Sequence, residues 1–360
     1  MDDRTIERIK KGIKNPDTGP ETIALMPSRT CNLRCFYCRG GRFVRSPQEN
    51  ENASGELSKQ DLSNLLLDAK GLGVKEINLG GMIGEPFCSK NILWLIAKIK
   101  EMGFVGSMTT NGFALGRKTA DLLNKCKWDI LLLSLDSSEK RIQQTLRPSF
   151  NGEDYFERVI EFLERLDSLR SKVRVLLNVV ISKINYRKFP ELMNLANNYR
   201  CIESVNVLRL LNVGLPNYEL LQLGPDELNE FRNILSRFKN DKKIRYLSDW
   251  MGQEVPGAGQ AAVRKRRASA SQGNRAEACF TNYYILSIDA NGDIIKCPQH
   301  WVKVPGINIK SVPLNKLWKE EHLLFRKALA KKADCFNGCC TILKEQNRLI
   351  RGKLSVKEKR

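Results

Sequence analysis

Cys31, Cys35 and Cys38 stand in the run Cys-Asn-Leu-Arg-Cys-Phe-Tyr-Cys, three thiols within eight residues. A tight loop can bring such sulfurs to one centre, and thiolates favour zinc, copper(I) or iron–sulfur clusters. A closed structural zinc site or a fully ligated [4Fe–4S] cluster wants a fourth ligand close by. The next cysteine is Cys88, and the only histidines are His300 and His322. Three local ligands without a fourth predict a cluster that keeps one coordination position open, where a small molecule can chelate and react.

A second group lies in the last quarter: Cys279, Cys297, Cys335, Cys339 and Cys340. The alternating run Tyr283–Ile288 and the run Ile294–Cys297 flank Ala290-Asn291-Gly292-Asp293, and Asn-Gly between two such runs signals a hairpin. That hairpin would set Cys279 and Cys297 near one end, with further ligands from the loop Cys335–Cys340. A zinc site drawing on His300 is the competing reading of the same residues. Cys88, Cys126 and Cys201 stand alone and read as small core residues. Eleven cysteines behind an N-terminus without an apolar signal segment predict reduced thiols and a cytoplasmic location.

Six β-branched, apolar runs must position these groups: Thr22–Met26, Val74–Leu79, Phe104–Thr109, Ile130–Leu135, Val173–Ile181 and Glu203–Leu210. Helical patterns separate most of them, among them Ser58–Lys70, where Ser58-x-x-Asp61 reads as a capping box ahead of Leu62, Leu65, Leu66 and Ala69. Strand alternating with helix predicts a parallel sheet, and six units suit a partial (β/α)6 barrel. In such barrels the chemistry sits on loops after the strands' C-terminal ends. The Cys31–Cys38 loop follows the first strand, 80–86 the second and Thr109–Gly112 the third, while Ser134–Ser137 ends the fourth. All four fall on one face. The expected organisation is an N-terminal extension over 1–20, the barrel over 21–238 and a linker over 239–275. A small α+β domain over 276–360 would complete the chain.

Cys31-x3-Cys35-x2-Cys38, with Tyr37 before the last cysteine, resembles the signature of radical S-adenosylmethionine (SAM) enzymes. The resemblance implies a [4Fe–4S] cluster on the three cysteines, its open iron binding the amino and carboxylate groups of SAM. It also implies reductive cleavage of SAM to a 5′-deoxyadenosyl radical that abstracts a substrate hydrogen. Gly84-Glu85-Pro86 resembles the family's Gly-Gly-Glu motif, which receives the SAM ammonium; because Met82-Ile83 separates Gly80-Gly81 from it, Gly84 and Glu85 are the candidates. Thr110-Asn111-Gly112 is similar to the turn after the family's third strand. Ser134 and Asp136 resemble ribose- and substrate-facing positions, and Tyr37 would lie near the adenine. The C-terminal order, Cys279, the hairpin, Gly292-x4-Cys297, Gly306–Trp318 and the last cysteines, is similar to the SPASM/twitch extension. Five cysteines rather than seven imply one auxiliary [4Fe–4S] cluster on Cys279, Cys297, Cys335 and one of Cys339 and Cys340.

Sixty Lys+Arg against forty Asp+Glu leave a net charge of +20, concentrated partly in Arg264–Arg267 and Lys344–Arg360. Such a field suits a polyanionic partner. No apolar run approaches the roughly 18 residues of a membrane span, so no membrane insertion is expected. The leading expectation is radical modification of a peptide by oxidation, crosslinking or epimerisation, assisted by the auxiliary cluster and fed by an electron donor such as flavodoxin or ferredoxin. Dehydrogenation of a small molecule (a sugar, an alcohol or a nucleotide) is the alternative enzyme reading. A zinc protein binding nucleic acid is the alternative of another class.

Overall fold

The computed structural model describes residues 3–15, 18–38, 56–80, 83–210, 217–245, 250, 280, 283–297, 302–319, 349–350 and 352–353. Gly81, Cys279, Cys335, Cys339, Cys340, His300, His322 and the two basic segments lie outside them, as does the side chain of Cys297.

The barrel begins at β1 (Thr22–Leu25) and alternates strand with helix through β6 (Ile202–Arg209). After α2 (Lys59–Gly71) come β2 (Glu76–Leu79), α3 (Ile92–Glu101), β3 (Val105–Thr110), α4 (Arg117–Lys125) and β4 (Ile130–Ser134). Helices α5 (Lys140–Leu146) and α6 (Phe156–Ser168) precede β5 (Arg174–Ile181), and α7 (Phe189–Asn198) precedes β6. Each of these strands pairs in parallel with its successor. Local chemistry starts the helices where the sequence indicates. Ser58 caps α2 by accepting the Asp61 amide at 3.1 Å, while its own amide donates to the Asp61 carboxylate at 2.9 Å. Leu62, Leu65, Leu66 and Ala69 are then buried on one face, each large side chain contributing about 1.5–3 kcal/mol.

Alternation along the strands separates two surfaces. Ile23, Leu25, Ile77, Leu79, Leu131, Leu133, Val175, Leu177 and Val179 join the helices in one hydrophobic cluster. The intervening positions lie on the other face and mix apolar residues (Leu132, Leu176, Val180) with polar ones: Asn78 donates to Ser107 at 2.7 Å, and Asn206 donates to Asn178 at 2.8 Å across β5 and β6.

Helix α8 (Tyr218–Leu221), helix α9 (Pro225–Ser236) and the short strand β7 (Ile244–Arg245) follow β6. The C-terminal hairpin forms as its Asn-Gly signal predicts: β8 (Ile285–Ile288) and β9 (Asp293–Cys297) are antiparallel, with Gly292 at φ +91° in the turn. It does not stand apart from the barrel. β8 pairs in parallel with β1, and β10 (Val302–Asn308) adds to β9. The order is therefore β10-β9-β8-β1-β2-β3-β4-β5-β6-β7, a single open α/β sheet. Helix α1 (Asp3–Lys14) is tied beneath it, its Arg8 guanidinium donating to the carbonyls of Gly19, Pro20 and Gly73. Helix α10 (Leu314–Lys319) adds Trp318, whose indole donates to the Thr18 carbonyl at 3.0 Å.

Candidate metal centre

The Cys31–Cys38 loop leaves the C-terminal end of β1 and is laid along 146–150 by backbone hydrogen bonds. Arg34 donates to the Pro148 carbonyl at 2.9 Å, Phe36 to Leu146 at 3.1 Å, and Phe150 to Asn32 at 3.2 Å. Leu33 and Ser149 form an antiparallel bridge between these bonds. The segment after α5 thus serves as a short strand against which the cysteine loop is laid. A turn from the Cys38 amide to the Cys35 carbonyl, 3.1 Å, brings the last two thiols together.

None of the three cysteines is in a disulfide, and all three are half-buried. Their sulfurs receive donors: Cys31 from the Leu33 amide at 3.4 Å and the Asn111 side chain at 3.5 Å, Cys35 from the Arg147 guanidinium at 4.0 Å. Burial pushes the Cys31 and Cys35 thiols up to about 12, so a bound cation is what would hold them as thiolates. Among the described residues no three Cys, His, Asp or Glu side chains converge tightly enough to hold one metal ion. The donor set and the hydrogen bonds onto sulfur fit an iron–sulfur cluster.

The loop after β2 supplies the neighbouring wall. Gly84 has φ +80°, and a Cβ there would lie 2.0 Å from the Ser28 carbonyl oxygen. Only glycine lets the two loops approach so closely. Glu85 is 3% exposed. Its carboxylate accepts from the Thr110 hydroxyl at 2.6 Å, the Asn111 amide at 2.8 Å and the Phe87 amide at 3.4 Å, and its own amide donates to Thr30 at 2.8 Å. Burial raises its carboxyl to about 7 against these bonds. Glu85 therefore joins the loops after β1, β2 and β3. Asn111 completes the link, donating to Asn32 at 2.8 Å as well as to Cys31.

On the far side, Tyr37, Asp136 and Arg147 meet. Arg147 pairs with Asp136 at 2.7 and 3.3 Å and lies over the Tyr37 ring at 5.2 Å, while the Tyr37 hydroxyl donates to Asp136. The Val180 amide also donates to Asp136, at 2.9 Å. The Asp136 carboxylate is thus engaged with protein groups, whereas the resemblance placed it facing a ligand. Burial beside this carboxylate holds the Tyr37 phenol well above its ordinary range. Ser134 lies on the inner face, in register with Asn178.

Two residues at this centre escape the sequence reading. Arg147 reaches Cys35 across 112 positions, and no local pattern marks it. Cys88, read as a core residue, follows Glu85 in the 3₁₀ turn Pro86–Cys88 and is only partly buried. Its sulfur accepts the Asn32 amide, and burial pushes its thiol up to about 12. Cys201 is buried as expected. Cys297 ends β9, which runs downward: Ile295 is level with Ser287 and Ala24, so Cys297 lies toward the edge where β1 begins. That edge is a strand length, roughly 10 Å, from the three-cysteine loop.

Residues 25–196 match the model of the Radical SAM superfamily. Over 158 residues the chain is 32% identical to a probable GTP 3′,8-cyclase of Thermococcus kodakarensis, covering 43% of this chain and 46% of that protein. Over 182 residues it is 28% identical to the PqqA peptide cyclase of Methylorubrum extorquens, covering 50% and 44%. These matches span about half the length of the curated relatives. Streptococcus suis SuiB bound to the precursor peptide SuiA superposes with a TM-score of 0.62 at 18% identity, over 88% of this chain and 69% of that one. At that identity the likeness establishes the fold.

Proposed function

We propose, from the match of residues 25–196 to the Radical SAM superfamily model, that the whole chain modifies a peptide by hydrogen abstraction. Cys31, Cys35 and Cys38 would hold a [4Fe–4S] cluster, with SAM on its open iron. When bound, the pair supplies one-electron cleavage of SAM to methionine and a 5′-deoxyadenosyl radical that takes a substrate hydrogen. The chain's own residues do the positioning. Gly84 and Glu85 form the wall beside the cysteine loop, and Asn111 ties that loop to β3. Tyr37 offers an aromatic face held by Arg147, and Ser134 a hydroxyl on the inner wall. The observation that carries the reading is Glu85, which joins the loops after the first three strands beside the three-cysteine loop.

Two facts support a peptide as substrate. SuiB, whose fold this chain shares, was crystallised with a precursor peptide, and a peptide cyclase is among the relatives. The polar pairs Asn78–Ser107 and Asn206–Asn178 on the inner face suit amide and hydroxyl groups. The same face and the likeness to a GTP 3′,8-cyclase favour a nucleotide as the second reading. Reconstituted protein with SAM and a reductant should release 5′-deoxyadenosine faster with a peptide library than without it. Stimulation by GTP alone would select the second reading.

An auxiliary [4Fe–4S] cluster on Cys279, Cys297, Cys335 and Cys339 or Cys340 belongs to this proposal. The place of Cys297 at the far edge of the sheet supports electron transfer rather than contact with substrate. Cys279→Ala with Cys297→Ala should roughly halve the iron content and leave SAM cleavage intact; unchanged iron would remove the auxiliary cluster from the account.

A further inference from the structure

Asp136 and Arg147 form a buried ion pair at the side of the candidate centre, 0% and 8% exposed at their side chains. Burying an ion pair costs desolvation that mutual attraction often fails to recover, so stability alone gives little reason for it. Its geometry gives another. The guanidinium turns its Nε–Nη2 edge to the carboxylate and its remaining arm, Nη1, to the Cys35 sulfur at 4.0 Å. The cation therefore stands between the carboxylate and the sulfur, and the sulfur meets the positive end of the pair. Asp136 is fixed in turn by the Val180 amide and the Tyr37 hydroxyl, and its own amide donates to Gln143 at 2.8 Å. The Asn185 side chain donates to its carbonyl at 2.9 Å. The Tyr37 ring covers the guanidinium. The arrangement holds one permanent charge, on a group that does not deprotonate in proteins, against one sulfur.

We propose that Arg147, held by Asp136 and Tyr37, is a positioning residue that sets the reduction potential of the cluster on Cys35 by stabilising its reduced, more negative state. The inference rests on the reading that Cys35 ligates the SAM-binding cluster. Cluster potentials respond to net charge and to hydrogen bonds at sulfur, and outer residues tune metal sites through such contacts. One electron enters the cluster from an external reductant, and no proton or bond is transferred in this step.

The two partners give opposite signs. Arg147→Gln removes the cation and should make the cluster at least tenfold harder to reduce, a negative shift of 59 mV for a one-electron couple. Asp136→Asn removes the opposing carboxylate and should shift the potential positively. Arg147→Lys keeps the charge and should fall between Arg147→Gln and the unaltered protein. The measurement is a dithionite titration of the anaerobically reconstituted full chain followed by electron paramagnetic resonance, using the signal that changes when SAM is added. Opposite shifts in Arg147→Gln and Asp136→Asn support the proposal. Unaltered potentials with iron retained, shifts of one sign, or loss of iron from all three variants overturn it and leave the pair a purely structural role. If the unaltered protein shows no SAM-responsive signal, it is the underlying assignment of Cys35 that fails.

Discussion

At the scale of single residues, the centre depends on groups with no freedom to change. Gly84 is the clearest. Its φ of +80° disfavours any side chain, and a methyl group would collide with the Ser28 carbonyl. Gly84→Ala should destabilise the loop by about 1–3 kcal/mol and weaken SAM binding at least tenfold, measured by denaturant unfolding and calorimetry; wild-type affinity would show that the two loops need not touch. Glu85 adds a pH dependence. Burial raises its folded carboxyl to about 7, above the roughly 4.3 of an unfolded glutamate. Its contribution to stability is thus fully present below about pH 4.3 and is lost as pH rises through 7, a change on the order of 3 kcal/mol. Glu85→Gln should flatten the unfolding free energy between pH 5 and 7.5, and an equally steep profile in that variant would assign the dependence elsewhere. Most of these residues are legible in sequence because their types and spacing are unusual: three close thiols, then Gly-Glu-Pro. Arg147 is not, since its meaning comes from a partner 112 positions away. Cys88 looked like a core residue because its place near Cys31 depends on a turn between distant segments.

At the scale of elements, strands and helices follow patterns that act over a few residues, and these are what a sequence records well. The capping box at Ser58 and the alternating runs of β1 to β6 come from local propensity and burial, and they lie close to where the sequence predicts them. The antiparallel laying of the cysteine loop on 146–150 does not, because its backbone bonds join two irregular segments far apart in the chain. Packing between elements is tight as well. Gly106 on β3 faces the buried Trp128, whose ring would stand 2.5 Å from an added Cβ. Gly106→Ala should cost about 1–3 kcal/mol by overpacking. Because Trp128 lies before β4, the loss should appear in global unfolding with iron binding retained; unchanged stability would mean that the indole can move aside.

At the scale of the whole molecule, one open sheet carries both the barrel and the C-terminal hairpin, joined by β8 on β1 and by the ion pair of Arg29 with Asp289. The hairpin itself was legible from Asn291-Gly292, but its docking on β1 was not, for strand pairing between distant segments leaves no local signature. Sheet order places the loops after β1, β2 and β3 side by side at one end, and that neighbourhood makes three thiols into a site. No helix among the described residues is long and apolar enough to cross a membrane. The central claim is that Cys31, Cys35 and Cys38 hold a cluster that cleaves SAM. Its most direct test is the yield of 5′-deoxyadenosine from anaerobically reconstituted protein given SAM and dithionite, compared with the variant carrying Cys31→Ala, Cys35→Ala and Cys38→Ala. The account predicts 5′-deoxyadenosine from the unaltered chain and none above background from the variant. Equal yields, or zinc in place of iron in the unaltered chain, would contradict it.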